Sequence, residues 1–269
     1  MRSHPELTLV IPCYNEAARL DRIALLTALD AMPWLRLCLV NDGSTDGTAE
    51  VLSALQQHAP DRIEVIALPA NAGKAEAVRQ GLLRACARSS TAATAYCGFW
   101  DADLSAPLDE LPALTAVFES MPSVEWVWAI RLRALGRTVT RGAWRHYLGR
   151  GFATATSLAL DLGTYDTQCG AKLFRVTPLL AEVISEPFLS RWVFDVEMLS
   201  RAKALLQAQG RHGIESLVYE QPLRTWHHQS GSKIRPLDFA RALLELLRIR
   251  RASAAWRRAL RAEPGTVGG

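Results

Sequence analysis

The stretch Ala95-Tyr-Cys-Gly-Phe-Trp-Asp-Ala-Asp103 joins an apolar run to two carboxylates that are separated by one alanine. The apolar part is typical of a buried strand in a parallel sheet. If the chain stays extended, Asp101 and Asp103 project to the same side. Two neighbouring negative charges at the end of a strand need a cation, and a divalent metal bound to a diphosphate would supply it. A polar strand-to-loop turn is the structural alternative.

The sequence around this stretch alternates between short β-rich runs and helical patterns. Strands are predicted over 7–11, 35–40, 63–68, 95–100 and 124–130, and helices over 16–29, 48–58, 74–88 and 108–120. Repeated strand–helix units predict an α/β fold with a doubly wound, mostly parallel sheet flanked by helices. Ligands of such sheets bind beyond the carboxyl ends of the strands.

The second half of the chain is less regular. Helices are predicted over 141–162 and 191–209, a strand or loop over 166–176, an extended segment over 215–226, and a long helix from 238 to about 262. We therefore expect one domain over 1–236 and a C-terminal basic amphipathic helix over 237–263, packed on the domain or extending from it. Residues 264–269 are expected to form a disordered tail.

Charge and cysteine content exclude several classes of protein. The net charge is +4, too small to indicate a nucleic-acid partner, and residues 239–263 alone contain seven arginines and two glutamates. The five scattered cysteines include no C-x-x-C pair, which favours reduced thiols in a cytoplasmic protein. We expect no signal peptide, because the N-terminus, Met1-Arg-Ser-His-Pro-Glu6, lacks an apolar h-region. We expect no membrane-spanning helix, because no apolar stretch reaches about 18 residues.

Polar side chains follow all five predicted strands of the first half. They are Tyr14-Asn-Glu16, Asn41-Asp-Gly43, Asn71-Ala-Gly-Lys74, Asp101-Ala-Asp103 and Arg131. Asp42 is predicted to be free to hydrogen-bond a base or ribose. Lys74 opens a predicted helix, where a lysine opposes the helix dipole unless an anion binds beside it; an ordinary exposed lysine is the alternative. No G-x-G-x-x-G or G-x-x-x-x-G-K-[ST] pattern is present, which argues against a dinucleotide enzyme and a P-loop ATPase.

The strand-end motifs resemble those of the inverting glycosyltransferases of family two, which have the GT-A fold. The resemblance rests on Pro12-Cys-Tyr-Asn-Glu16, Val40-Asn-Asp-Gly-Ser-Thr-Asp-Gly47, Asn71-Ala-Gly-Lys74 and Asp101-Ala-Asp103. Three later segments are similar to those of dolichyl-phosphate β-glucosyltransferases and their prokaryotic relatives: Asp166-Thr-Gln-Cys-Gly-Ala-Lys-Leu-Phe174, Arg191-Trp-Val-Phe-Asp-Val-Glu197 and Trp226-His-His-Gln-Ser-Gly-Ser-Lys233. The resemblance spans about residues 7 to 250. It implies transfer of a hexose, most simply glucose from UDP-glucose, to a polyprenyl phosphate with Mg²⁺ or Mn²⁺.

The resemblance also implies a role for each matching residue. The nucleotide-sugar donor would be bound by Pro12, Tyr14, Glu16, Asp42, Lys74, Asp101 and Lys233. The metal would be held by Asp103 with help from Asp101, and both would act in catalysis together with Arg131, which faces the phosphates, and Asp195. The acceptor side would contain Gln168, Lys172, Trp192 and Ser232. Ala75 and Ala171 stand where the family often has glycine.

Other interpretations remain open on the sequence. The acceptor could be a soluble sugar or metabolite, or the chain could bind a nucleotide sugar without turning it over. A sugar-phosphate nucleotidyltransferase would need a glycine-rich loop after the first strand, which is absent. A metal role for His227-His228 is disfavoured, because neighbours in an extended segment point to opposite faces.

The C-terminal helix has two interpretations as well. Its apolar side predicts packing on the core, and its arginines predict contact with an anionic membrane surface. We expect a cytoplasmic protein, peripheral on the cytoplasmic face of the membrane if the second interpretation holds.

Overall fold

The computed structural model describes residues 5–89, 94–139, 151, 154, 156–158, 160–211, 213–227 and 236–262. The strands are β1 Glu6–Cys13, β2 Leu35–Asn41, β3 Ile63–Ala67, β4 Thr94–Trp100, β5 Trp126–Ile130, β6 Thr138–Val139, β7 Ala171–Arg175, β8 Val218–Pro222 and β9 Thr225–Trp226. The helices are α1 Arg22–Ala31, α2 Thr48–His58, α3 Lys74–Ser89, α4 Leu111–Ser120, α5 Pro178–Val183, α6 Phe194–Ala208 and α7 Pro236–Ala262. Short 3₁₀ turns occupy Leu108–Glu110 and Ile214–Ser216.

Seven strands form the central sheet, in the order β3-β2-β1-β4-β7-β5-β8. Only β7 runs antiparallel to its two neighbours, β4 and β5. The other pairs, β1 with β2 and β4, β2 with β3, and β5 with β8, are parallel. The predicted mostly parallel, doubly wound sheet is therefore confirmed. The carboxyl ends of β1 to β5 meet at one edge, and the strand order reverses between β1 and β4, where ligands of such sheets bind.

Helices cover both faces of the sheet, because successive apolar side chains of a strand point to opposite faces and both sets are buried. Leu9 and Ile11 of β1 belong to one buried cluster, and Val10 between them belongs to the other. Gly81 lets α3 approach this strand closely, since a Cβ there would lie 2.3 Å from Val10 Cγ1. The close packing fixes α3, whose first residue is Lys74, against the centre of the sheet.

Several boundaries of the predicted elements are shifted in the structure. The helix α1 begins at Arg22 instead of 16, because residues 15–17 are tied to the loop before α2. The hydroxyl of Thr48, the first residue of α2, accepts the Glu16 N–H at 2.8 Å, and Asp46 Oδ2 in the preceding loop accepts the Ala17 N–H at 3.3 Å. The segment 166–176, predicted as a strand or loop, contains β7. The predicted extended segment 215–226 starts within the 3₁₀ turn Ile214–Ser216 and contains β8 and β9.

The helix α7 packs on α6 through the buried residues Ala242, Leu246 and Ile249. Its other side leaves Leu244 58% and Leu247 50% exposed. No helix in the described ranges combines the length and the apolar character that crossing a membrane requires. The predicted tail over 264–269 and the greater part of the predicted helix over 141–162 lie outside the described residues, so the domain division stays a prediction.

Candidate functional site

An ion pair between Lys74 Nζ and Asp101 Oδ1 lies where β4 ends and α3 begins. The lysine side chain is 31% exposed and the aspartate side chain 38% exposed, so solvent reaches the pair. Burial by itself would lower the pKa of Lys74, but the Asp101 carboxylate, with help from Asp195 and Asp103, raises it above its ordinary value. The lysine therefore carries its positive charge at this edge of the sheet at neutral pH.

Asp101 and Asp103 stand on a strand-to-loop turn, the alternative to an extended segment. The ladder between β4 and β7 ends at the pair Trp100 and Ala171, and the Leu104 N–H then donates to the Asp101 carbonyl at 3.0 Å. One oxygen of Asp103, Oδ1, accepts the Ser105 N–H at 3.0 Å. The two carboxylates are thus presented by the loop that follows β4, which lies at the predicted strand end.

Gly170 lies against Asp101 and leaves no room for a side chain of its own. The Asp101 N–H donates to the Gly170 carbonyl at 2.8 Å, and a Cβ on Gly170 would lie 1.9 Å from Asp101 Oδ2. A glycine just before β7 is therefore required for the observed position of the Asp101 carboxylate. Sequence reasoning missed this residue, because only the contact between two distant segments reveals its role.

The two carboxylates fit a hard divalent cation that brings further oxygen ligands with it. Carboxylate oxygens suit Mg²⁺ and Mn²⁺, and Mg²⁺ in enzymes is commonly held by one or two carboxylates together with substrate phosphates. Within the described part of the chain, no group of three or more His, Cys, Asp or Glu side chains is arranged to hold a metal. Asp101 and Asp103 would accordingly share the ion with a phosphate ligand.

Asp42 is not free, contrary to prediction. Its side chain is buried, and its carboxylate accepts the Ala72 N–H at 2.7 Å, the Gly73 N–H at 2.9 Å and the Asn71 side-chain N–H at 3.1 Å. The backbone amides of the loop ahead of α3 need an acceptor when they are turned inwards, and Asp42 supplies it. Asp42 therefore fixes the loop that positions Lys74.

The loop after β1 contributes an arginine that the sequence analysis missed. Pro12 lies in β1, Tyr14 is 38% exposed, and the buried Glu16 binds Arg19 through two hydrogen bonds of 2.8 and 2.6 Å. The hydrogen bonds that Arg19 donates to Glu16 raise the pKa of Arg19, and the charge of Asp103 adds to that rise. Arg19, paired with Glu16, thus interacts electrostatically with Asp103.

Arg131 stands at the predicted strand end, but its guanidinium is already paired. It binds Asp166 through two hydrogen bonds of 2.7 Å, and its backbone N–H donates to the same carboxylate at 3.1 Å. Burial would lower the pKa of Arg131, but Asp166 raises it above its ordinary value. Glu220 accepts the Asp166 N–H at 3.2 Å and so helps to hold this pair. To contact phosphates as predicted, the Arg131 guanidinium would have to give up Asp166 or divide its N–H donors between Asp166 and the phosphates.

The buried Lys172 and Asp195 form one hydrogen-bonded network with the half-buried Gln168. Asp195 Oδ1 accepts from the Gln168 side chain at 2.8 Å, and Oδ2 accepts from Lys172 Nζ at 3.0 Å. Lys172 Nζ also donates to the carbonyls of Thr167 and Cys169, both at 2.8 Å. All three ammonium donors of Lys172 are used and its side chain is 1% exposed, so its predicted place on the acceptor side stays a prediction. Lys172 holds the 167–169 loop and Asp195 in place.

Of the remaining predicted site residues, one has an exposed side chain and two lie outside the described residues. Trp192 lies on the loop before α6 and is 47% exposed. Ser232 and Lys233 lie outside the described residues, as does His228. Their assigned roles stay predictions.

The chain resembles one large enzyme family in sequence. A family model described as glycosyl transferase family 2 matches residues 8–180. The chain is 30% identical over 271 residues to a dolichyl-phosphate β-glucosyltransferase of Drosophila melanogaster, with 94% of this chain and 77% of the relative covered. The protein of the same name from Saccharomyces cerevisiae is 28% identical, with 91% and 74% covered.

Solved structures share the fold. A glucosyl-3-phosphoglycerate synthase from Mycobacterium tuberculosis in complex with Mn²⁺ and UDP-glucose superposes with a TM-score of 0.59, covering 97% of this chain and 81% of that chain at 19% identity. The same synthase in complex with Mn²⁺, UDP and glucosyl-3-phosphoglycerate gives a TM-score of 0.58 with 97% and 82% covered. The shared architecture is the GT-A fold, with the Lys74–Asp101 pair at its ligand-binding edge.

Proposed function

The chain belongs to glycosyl transferase family 2 and is a glycosyltransferase, and from that premise we propose that it transfers glucose from UDP-glucose to a polyprenyl phosphate with inversion at the anomeric carbon. The observation that carries this proposal is the Lys74–Asp101 pair beside Asp103, at the reversal of strand order, in a chain 30% identical to a dolichyl-phosphate β-glucosyltransferase. UDP-glucose as the donor is further supported by the synthase of the same fold, which was crystallised with it.

Asp101 and Asp103 would hold Mg²⁺ or Mn²⁺, in agreement with the Mn²⁺ in the structural neighbours. When bound, the ion supplies positive charge that stabilises the diphosphate of the departing UDP. Lys74 adds a second positive charge at the same place, and its contact with Asp101 keeps it protonated. We assign a similar role to Arg131 and Lys233 on the resemblance.

The transfer needs no strong general base. An oxygen of the acceptor phosphate forms the new bond to the anomeric carbon, and the bond from that carbon to the β-phosphate oxygen breaks with its electron pair leaving on UDP. The phosphate acceptor is ionised near neutral pH, so no proton has to be removed from it. Asp195 need not act as a base, since its two oxygens are bound to Gln168 and Lys172. We assign it the role of orienting Gln168 towards the sugar or acceptor.

The outward side of α7 suits a peripheral contact with an anionic membrane. The exposed Leu244 and Leu247 lie beside the exposed Arg248 and Arg251, one or two helical turns apart. The opposite side of α7 packs on α6, so the two predicted interpretations of this helix apply to different faces. A lipid acceptor would require the enzyme to approach such a surface.

Removing both arginines should weaken binding to anionic vesicles. Each arginine near such a surface contributes about 1 kcal/mol, so Arg248→Gln with Arg251→Gln should reduce vesicle partitioning by about 30-fold. A matched variant, Arg22→Gln with Arg62→Gln, removes the same charge outside α7 and should leave partitioning unchanged. Co-sedimentation with phosphatidylserine vesicles measures both. Equal binding by the two double variants would rule out α7 as the membrane contact.

A donor and acceptor screen tests the proposed reaction. UDP- and GDP-sugars would be incubated with a short polyprenyl phosphate or with 3-phosphoglycerate, in the presence of Mg²⁺ or Mn²⁺, and products identified by mass spectrometry. We expect glucose to move from UDP-glucose to the polyprenyl phosphate, in a β linkage by NMR, and the reaction to stop when EDTA removes the metal. Transfer to 3-phosphoglycerate alone would favour a family-two enzyme with a soluble acceptor. UDP binding without any transfer would favour a non-catalytic protein.

A further inference from the structure

The loop that leads into α6 places an arginine between two exposed apolar side chains. Leu189 is 54% and Trp192 47% exposed, and Arg191 is exposed as well. Large apolar side chains exposed together, next to a cation, suggest a ligand that has both an apolar and a negatively charged part. This 189–192 loop ends two residues before α6.

Arg191 extends from this loop to the residues that precede α3. Its guanidinium donates to Asn71 Oδ1 at 3.0 Å, and a Cβ on Gly73 would lie 2.8 Å from Arg191 Nε. The arginine thus lies over Gly73, which directly precedes Lys74 in the chain. Among the residues that the structure describes, no carboxylate forms an ion pair with Arg191. Two cationic side chains thus come from neighbouring parts of the site, and the one carboxylate, Asp101, pairs with Lys74 alone.

The loop is held firmly from beneath, so its exposure is not a result of weak packing. The buried Ser190 accepts the Val193 N–H at 2.7 Å and donates to Glu245 of α7. The fully buried Glu197 accepts the N–H groups of Leu189 and Ser190, both at 3.1 Å, and pairs with Arg201 at 2.7 Å. A binding element fixed in this way loses little conformational entropy when its ligand arrives.

We propose that residues 189–192 bind a phosphate monoester attached to an apolar chain, with Arg191 taking the phosphate and Leu189 and Trp192 the first part of the chain. This inference rests on the proposed function, because it describes how the same site takes its acceptor. Arginine offers five N–H donors in a planar fork that matches phosphate oxygens. The position of Arg191 next to Lys74 sets the bound phosphate beside the Lys74–Asp101 pair. Glu245 links the loop to α7, the helix proposed to lie on the membrane.

Binding of farnesyl phosphate in the presence of UDP tests this independently of turnover. By isothermal titration calorimetry, Arg191→Gln should weaken the affinity roughly 10- to 100-fold, the effect of losing a charge-assisted hydrogen bond. Arg191→Lys should restore part of the affinity. The exposed Arg211, which lies away from the loop, provides the matched control Arg211→Gln and should leave the affinity unchanged. Thermal unfolding should show that the variants remain folded.

Chain length tests the apolar part of the proposal. The wild-type protein should bind farnesyl phosphate more tightly than isopentenyl phosphate, and Trp192→Ala with Leu189→Ala should remove that preference. The inference would be overturned if Arg191→Gln left the affinity for farnesyl phosphate unchanged, or weakened the binding of UDP to the same extent. It would also be overturned if the wild-type protein did not bind farnesyl phosphate. Arginine-dependent binding without glucose transfer would retain it and reject the proposed function. If Arg191→Gln leaves the rate of glucose transfer to a polyprenyl phosphate unchanged, the proposed function is retained and the inference is rejected.

Discussion

An Asp103→Asn variant is expected to lose glucose transfer by about 1000-fold or more, since the charge stabilisation that a metal supplies is worth several kcal/mol. Asparagine keeps the size of the side chain, and its carbonyl oxygen can still accept the Ser105 N–H that Asp103 Oδ1 accepts at 3.0 Å. The turn after β4 should therefore survive while the negative charge is lost. The loss should appear in kcat/KM with polyprenyl phosphate, measured over a range of Mn²⁺ concentrations.

The same variant separates a role in metal binding from a general effect on the fold. Mn²⁺ binding in the presence of UDP, followed by electron paramagnetic resonance, should weaken in Asp103→Asn, and the unfolding temperature should stay close to that of the wild type. Asp109→Asn removes an exposed carboxylate six residues further along the chain and serves as the control. Full activity of Asp103→Asn, or activity that is indifferent to EDTA, would reject the metal site.

The local pattern of the sequence was sufficient to predict the sheet and the edge that carries the site. Each of the first four strands is a short apolar run bounded by polar residues, and β1 to β5 do end at one edge. The antiparallel direction of β7 could not be predicted in the same way, because an isolated run such as Ala171–Arg175 carries no information about the direction of its neighbours. Strand direction is a property of the assembled sheet.

The errors within the site have a similar cause. Asp42 was predicted to be free, but its partners, Ala72 and Gly73, come 30 and 31 residues later in the chain. Lys172 was predicted to lie on the acceptor side, and the sequence did not show that its ammonium group is bound by two carbonyls of the preceding loop and by Asp195. A motif identifies the residue type that the site requires. The partners of that residue decide whether it contacts the ligand or holds another residue in position.

Gly170→Ala is expected to lower glucose transfer by about 100-fold while costing only 1–3 kcal/mol of folding free energy, the usual effect of a small overpacking change. The added Cβ would lie 1.9 Å from Asp101 Oδ2, so one of the two must move. The carboxylate is the end of a flexible side chain, whereas Gly170 is backbone whose carbonyl accepts the Asp101 N–H at 2.8 Å. Asp101 should therefore rotate away and give up its contact with Lys74.

A double-mutant cycle shows whether Gly170 acts through Asp101. If it does, Gly170→Ala should reduce activity strongly in the wild-type background and only slightly in an Asp101→Ala background, because the carboxylate that it displaces is already absent. Gly163→Ala is the matched control, since a Cβ at Gly163 meets no atom within 4 Å and should change neither activity nor stability. Additive losses in the cycle would mean that Gly170 affects the site by another route. Non-additive losses would explain the glycine at 170 chemically, because the space that a methyl group would fill is occupied by the carboxylate that the proposed reaction requires.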